Sequence, residues 1–248
     1  MALLGEQYAG AAQGVSDVVM ITLGTGIGGA AMMLGKLVRG AHAHAANLGG
    51  HLPVSFRGHK YVCGNVGCAE AEAAGWSLPR IVRETPGFRE SSLANAQLNF
   101  QTLFAAARNE DVVARTVQQH CLNIWAANAV AVIHAYDPEM VVFDGGVMQS
   151  ADVILPLIQK YVVEHAWTSW ERLACAGILG GNATLMGQSH SYWKTSGLCN
   201  RTESQPATKP PYRRQQSESD LRIEARPGLR QSRVFQRPQS LKRTPQYR

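Results

Sequence analysis

No apolar run in this 248-residue sequence is long enough to cross a membrane. Runs such as residues 126–135 fall well short of the ~20 residues a spanning helix needs, and that one carries Asn128 and His134. The start lacks the charged, apolar and small-residue succession of a secretion signal, so the cytoplasm is the expected location and no membrane is an expected partner. Cysteine is scarce. Cys63, Cys68, Cys121, Cys175 and Cys199 make an odd five without the spacing of a secreted disulfide scaffold, which favours reduced thiols. From Thr202 onward any sustained helical or alternating apolar pattern is also missing. That stretch, rich in Arg, Gln, Ser and Pro, cannot bury enough apolar surface to offset its ordering entropy, and disorder is expected.

The charge divides the chain in two. Residues 1–188 hold 11 Lys and Arg against 14 Asp and Glu, whereas residues 189–248 hold 13 against 4 and contain six of the eleven prolines. The basic character therefore belongs to the tail. A tail of this kind can bind nucleic acid or a membrane surface. Its confinement to a segment unlike the rest ranks a nucleic-acid partner last.

What the sequence does contain is concentrated in residues 47–72, NLGGHLPVSFRGHKYVCGNVGCAEAE. His51, Cys63 and Cys68 lie within eighteen residues, and thiolate plus imidazole is the donor set that suits Zn²⁺. Gly64 and Gly67 let the intervening loop fold both sulfurs onto one ion. The plain alternative is that these are ordinary core residues of a reduced protein. Upstream, residues 18–30 read VVMITLGTGIGGA, an apolar strand running into a turn of Gly24, Thr25, Gly26, Gly28 and Gly29. Such a turn presents backbone N–H groups to phosphate oxygens, although alone it is often only a tight turn.

Around these stretches the pattern predicts a short helix within residues 1–14, a return strand at 30–34 and a short strand at 37–39. A helix over 68–84 follows, bent at Pro79 and with Trp76 in the core, then a loop at 85–92. Helices are expected at 100–108 and 111–136, a strand at 140–143 ending in Gly145 and Gly146, and a helix at 151–165. A last strand at 173–179 and a helix opening in 180–187 complete the order. His42 and His44 read as exposed loop residues; His120, Cys121 and His134 read as buried or half-buried helix residues rather than ligands.

GTGIGGA, NLGGH, CGNVGCAE and FDGGVM, in that order and spacing over residues 1–188, resemble the ROK family of bacterial sugar kinases and sugar-responsive repressors. The resemblance implies an α/β chain of the actin-like (ribonuclease-H-like) ATPase fold. This chain would be the later part, mainly the second lobe, of a glucokinase-like or N-acetylhexosamine kinase-like protein. It further implies that ATP with Mg²⁺ phosphorylates a hexose or N-acetylhexosamine, with the sugar-binding module of a repressor as the alternative, and that a homodimer is possible. Gly24, Thr25, Gly26, Gly28 and Gly29 would hold the terminal phosphates, and Gly145 and Gly146 would pack against the adenosine. His51 and Glu70 would bind sugar hydroxyls. His51, Cys63 and Cys68 would ligate a structural Zn²⁺, with Tyr61 standing where the family has a further cysteine and Leu48 where it often has a sugar-binding glutamate. The family's catalytic aspartate and its first phosphate turn would fall before Met1, so no catalytic residue is assigned and the chain is expected to be inactive alone. The pattern stops after Gln188, as a reading-frame shift would make it do, leaving 189–248 as a disordered basic tail.

Overall fold

The computed structural model describes residues 1–46, 49–167 and, as backbone, 174–176. The expected basic tail and the expected helix opening in 180–187 lie outside the described residues.

Five strands form one sheet in the order β3-β2-β1-β4-β5. Its centre is β1 (Val18–Leu23), whose β-branched and long apolar residues suit a strand covered on both faces. It pairs antiparallel with β2 (Ile27–Met33), from Val18 opposite Met32 to Leu23 opposite Ile27. On its other edge it pairs parallel with β4 (Met140–Asp144), with Thr22 opposite Asp144. Short strands β3 (Lys36–Leu37) and β5 (Ala174–Ala176) flank these, the latter also parallel to β4. Because β1 and β4 run the same way, their carboxyl ends lie side by side. The glycines that follow each strand are thereby brought to one edge of the sheet, where ligands sit in open α/β sheets.

The two-residue period of the strands sorts their side chains. Val18 and Met20 of β1, with Val142 of β4, pack against Leu3 of helix α1 (Ala2–Ala9). Val19, Ile21 and Leu23, with Val141 and Phe143, face the larger core. That core is built from α4 (Phe100–Arg108), α5 (Val112–Tyr136) and α6 (Ala151–His165), and contains the fully buried Phe104 and Trp125. Two of the three helix starts in this layer are capped by side chains. Asn99 and Thr102 exchange bonds in a capping box, and Asp111 Oδ1 accepts the Ala114 N–H at 3.0 Å. The helix α5 ends where Asp137 turns left-handed (φ 45°), followed by Pro138, which cannot continue a helix.

Several expectations are corrected. The strand β2 begins at Ile27, three residues before the expected start, because Gly28 and Gly29 pair with Thr22 and Ile21 instead of turning. The helix expected over 68–84 is two, α2 (Ala69–Ala73) and α3 (Leu78–Glu84), separated at an extended Ala74. Pro79 stands in the first turn of α3, where its missing N–H costs nothing, and bends no helix. Trp76, expected in the core, is 44 % exposed. Of the three α5 residues, Cys121 is buried and His120 half-buried as expected, but His134 is exposed and accepts the Trp167 N–H at 2.9 Å.

Asp111 also accepts bonds from the Ser92 N–H at 2.8 Å and from the Ser91 and Ser92 hydroxyls. Burial alone would raise its carboxyl, but the Ala114 N–H and the Ser92 and Ser91 donors outweigh it and bring it from 3.8 down to about 2. A folded-state value below the unfolded one contributes stability that is present above about pH 4 and lost as pH falls toward 2. Asp111→Ala is expected to lower stability by about 1–2 kcal/mol at pH 7 and to flatten this acid limb. Urea unfolding monitored between pH 2 and 7 measures both.

Candidate functional site

The turn after β1 is held from outside. The carbonyls of Gly24 and Thr25 accept the N–H groups of Gly75 and Trp76 at 2.9 and 3.0 Å, from the break between α2 and α3. A Cβ on Gly75 would stand 2.8 Å from the Gly24 carbonyl oxygen and 3.2 Å from Thr25 Cα, so the contact requires glycine. With those carbonyls engaged and the Gly24 N–H donating to the Gly26 carbonyl at 3.0 Å, the turn has the Thr25 and Gly26 amides and the Thr25 hydroxyl to offer a ligand.

Glu70, on α2, fixes the same turn from the other side. Its Oε2 accepts the Ile27 N–H at 2.9 Å, while Oε1 accepts the Tyr61 hydroxyl at 2.6 Å and the Trp76 indole N–H at 3.2 Å. Tyr61 stacks on Trp76 (centroids 5.9 Å apart) and meets His51 edge-on at 4.9 Å. Burial, and the Glu70 carboxylate to which it donates, push the Tyr61 phenol well above its ordinary value, so it remains a donor.

The long helix α5 anchors the loops behind this layer. His120 Nε2 lies 3.0 Å from the Glu72 carbonyl, Trp125 Nε1 donates to the Ala73 carbonyl at 3.0 Å, and Asn128 Nδ2 donates to the Gly49 carbonyl at 3.2 Å. Gly49 opens the 3₁₀ turn Gly49–His51. One helix thus sets the heights of both His51 and Glu70.

Two clefts flank the turn. The larger, about 580 Å³, is lined by Thr22, Ala30, His51, Tyr61 and Glu70 together with Gly24, Thr25, Gly26, Gly28 and Gly29, and is closed at one end by Met1, Ala2 and Leu3. The smaller, about 370 Å³, is lined by Gly24, Thr25, Gly75, Trp76, Asn99, Phe100, Gln101, Gly146, Val147 and Gln149. Gly24 and Thr25 belong to both. The glycine pair is split in role: Gly146 lines the smaller cleft. Gly145 (φ 102°) presses on the Leu23 carbonyl where no side chain fits, joining the ends of β4 and β1. Asp144, just before it, is buried; its carboxyl is raised by burial and by nearby Glu6, against the Gly145 N–H.

Two clefts sharing a glycine turn at the carboxyl edge of a sheet agree with what the sequence profile of one family adds. The ROK family profile matches residues 1–193. The chain belongs to the ROK family. A glucokinase of Thermotoga maritima is 32 % identical over 198 residues, covering 74 % of this chain and 62 % of the relative. Among solved structures, a ROK family glucokinase from Streptomyces griseus in complex with glucose and AMPPNP matches with a TM-score of 0.66 and 31 % identity, over 77 % of this chain and 64 % of that one. A ROK family transcriptional regulator, a homologue of the E. coli MLC protein, matches with a TM-score of 0.63 and 26 % identity, over 75 % of this chain and 48 % of that one. The chain spans about 62 % of the length of the Thermotoga glucokinase. The fold expected from the sequence, α/β of the actin-like ATPase type, holds.

All five glycine-turn residues expected to hold phosphate line the larger cleft with His51 and Glu70. The zinc ligands do not assemble. The Cys63 and Cys68 sulfurs lie 3.7 Å apart, but His51 packs on Tyr61, and among the described residues no three His, Cys, Asp or Glu side chains converge as a metal site. Tyr61 is the physical reason. A neutral buried phenol committed to Glu70 replaces a thiolate, and a tetrahedral ion is left short of donors. The residues present therefore do not fit zinc.

The sequence reading missed Tyr61, Trp76, Asn99 and Gln101 as lining residues. The Asn99–Thr102 capping pair was the available signal for the last two, since it places the start of α4 at the cleft mouth. Metal analysis of the purified protein is expected to show far less than one zinc per chain, rising toward one in Tyr61→Cys.

Proposed function

We propose that this chain forms the sugar- and phosphate-facing part of an ATP-dependent kinase for a hexose or an N-acetylhexosamine. The observation that carries the reading is that Gly24 and Thr25 line both clefts. A nucleotide in the smaller cleft would have its terminal phosphate at the glycine turn, and a sugar held by His51 and Glu70 would have a hydroxyl on the other side of the same turn. Phosphoryl transfer depends mainly on positioning and on stabilising charge around the transferred group, and a rigid turn between two clefts supplies the first. Mg²⁺ arriving with ATP supplies charge neutralisation on the phosphates. The Streptomyces griseus glucokinase, solved in complex with glucose and AMPPNP, supports the same pair of ligands.

In this reading Glu70 accepts hydrogen bonds from a sugar hydroxyl with whatever lone-pair capacity Ile27, Tyr61 and Trp76 leave it, and His51, which lines the same cleft, contributes beside it. Trp76 and Phe100 offer apolar surface to a base, and Asn99, Gln101 and Gln149 offer amides. Among the described residues no helix is long and apolar enough to cross a membrane. The second reading, an effector-binding module of a ROK repressor, is favoured by the likeness to the MLC homologue. It requires the sugar but not the nucleotide.

Calorimetric titration with Mg²⁺–AMPPNP and a panel of hexoses and N-acetylhexosamines, with Trp76 fluorescence as a second readout, separates the two. The kinase reading expects both ligand classes to bind. Glu70→Gln should weaken the sugar about tenfold or more, the loss of ~1.5–3 kcal/mol from a charge-assisted hydrogen bond. Gly75→Ala, which pushes on the turn, should weaken the nucleotide about tenfold. Sugar binding without nucleotide binding would favour the effector module, and binding of neither would sink both readings.

A further inference from the structure

The failure of the zinc set leaves two thiols whose arrangement has a chemistry of its own. The Cys63 and Cys68 sulfurs face each other at 3.7 Å across a five-residue step, and the turns at Gly64 (φ 88°) and Gly67 (φ 68°) hold the loop in that shape. The two differ in access. Cys63 is exposed, beside an exposed Val62, whereas Cys68 is buried against Tyr61 and Ala71. Cys121, in the core of α5, is fully buried.

We propose that Cys63 and Cys68 are a reversible dithiol–disulfide pair, Cys63 reacting first with a low-molecular-weight disulfide of the glutathione type and Cys68 resolving the adduct. In the first step the Cys63 thiolate, its proton released to solvent, attacks one sulfur of oxidised glutathione. The oxidant's S–S bond breaks, one glutathione leaves as thiolate and takes up a proton, and a mixed disulfide stands on Cys63. In the second step Cys68 gives up its proton and attacks the Cys63 sulfur. The Cys63–Cys68 bond forms and the second glutathione leaves. Two protein thiols are oxidised, one glutathione disulfide is reduced to two thiols, and nothing else is consumed.

The asymmetry in access is what makes the pair directional. An oxidant reaches the outer sulfur, and the inner one lies close enough to displace it. The ring so closed ends at Cys68, the residue that caps α2 two positions before Glu70, and it contains the loop that follows Tyr61. Oxidation would therefore stiffen the wall of the larger cleft that Tyr61 and Glu70 share.

The test is to expose the whole reduced protein to oxidised glutathione, quench with acid, alkylate free thiols and map the tryptic peptide 61–80, which contains both cysteines. The expected product is that peptide unalkylated and lighter by two hydrogens, returning to the doubly alkylated form after dithiothreitol. Cys68→Ser should instead accumulate a lasting glutathione adduct on Cys63. Three results would overturn the proposal: a stable glutathione adduct on Cys63 in the unaltered protein, both cysteines fully alkylated after the oxidant, or a disulfide joining either one to another cysteine. The readout in the unaltered protein stands whether or not the serine variant folds.

Discussion

The carboxylate of Glu70 receives hydrogen bonds from three separate segments: the start of β2, the loop of Tyr61 and the break carrying Trp76. An ionised carboxylate is an acceptor only, with room for several donors, so it can serve as a common anchor without conflict of sign. Bonds to an ionised group are stronger than neutral ones, and here they act in a half-buried position where water competes less. The glycine turn has few side-chain contacts of its own. Its placement depends on this anchor and on the two backbone bonds from Gly75 and Trp76. The glutamate that faces the larger cleft is thus also the one that builds it.

Behind that anchor, rigidity comes from α5. His120, Trp125 and Asn128 each meet a backbone carbonyl of the loops that carry the site, and Trp125 and Asn128 do so from full burial. Placing a polar atom in a core is costly unless it is bonded, and each of these contacts fixes a loop height as it gives the donating nitrogen a partner; the Asn128 Oδ1 has none. The apolar remainder of the helix packs against the sheet, so the site loops are referenced to the same core that holds β1 and β4.

Much of this was legible in the sequence because it is local. The apolar run 18–23 ending in glycine, the apolar helix 112–136 and the glycines after 143 each announce themselves within a few residues. The departures arose where distant partners decide. Gly28 and Gly29 read as a turn but pair as strand, and at Gly29 the approach of Ala46 and Gly49 leaves no space for a side chain. Residues 74–77 read as helix, yet the Gly75 and Trp76 amides leave it to bond Gly24 and Thr25, fifty residues back. Trp76 read as core because it is large and apolar, and its indole N–H goes instead to Glu70. The metal expectation failed at one residue. Tyr61 was visible as a departure from the family, but its commitment to Glu70 could be seen only in three dimensions.

A wall common to two clefts has a thermodynamic consequence. Gly24 and Thr25 cannot move toward one occupant without moving away from, or toward, the other. Whatever factor one ligand applies to the affinity of its neighbour must be returned in equal measure, because the linkage between two binding equilibria is reciprocal. Conformational freedom lost by the turn on the first binding event is not lost again on the second. The two backbone bonds from Gly75 and Trp76 therefore set more than a shape. By limiting how far the turn can yield, they set the size of the conversation between its two sides.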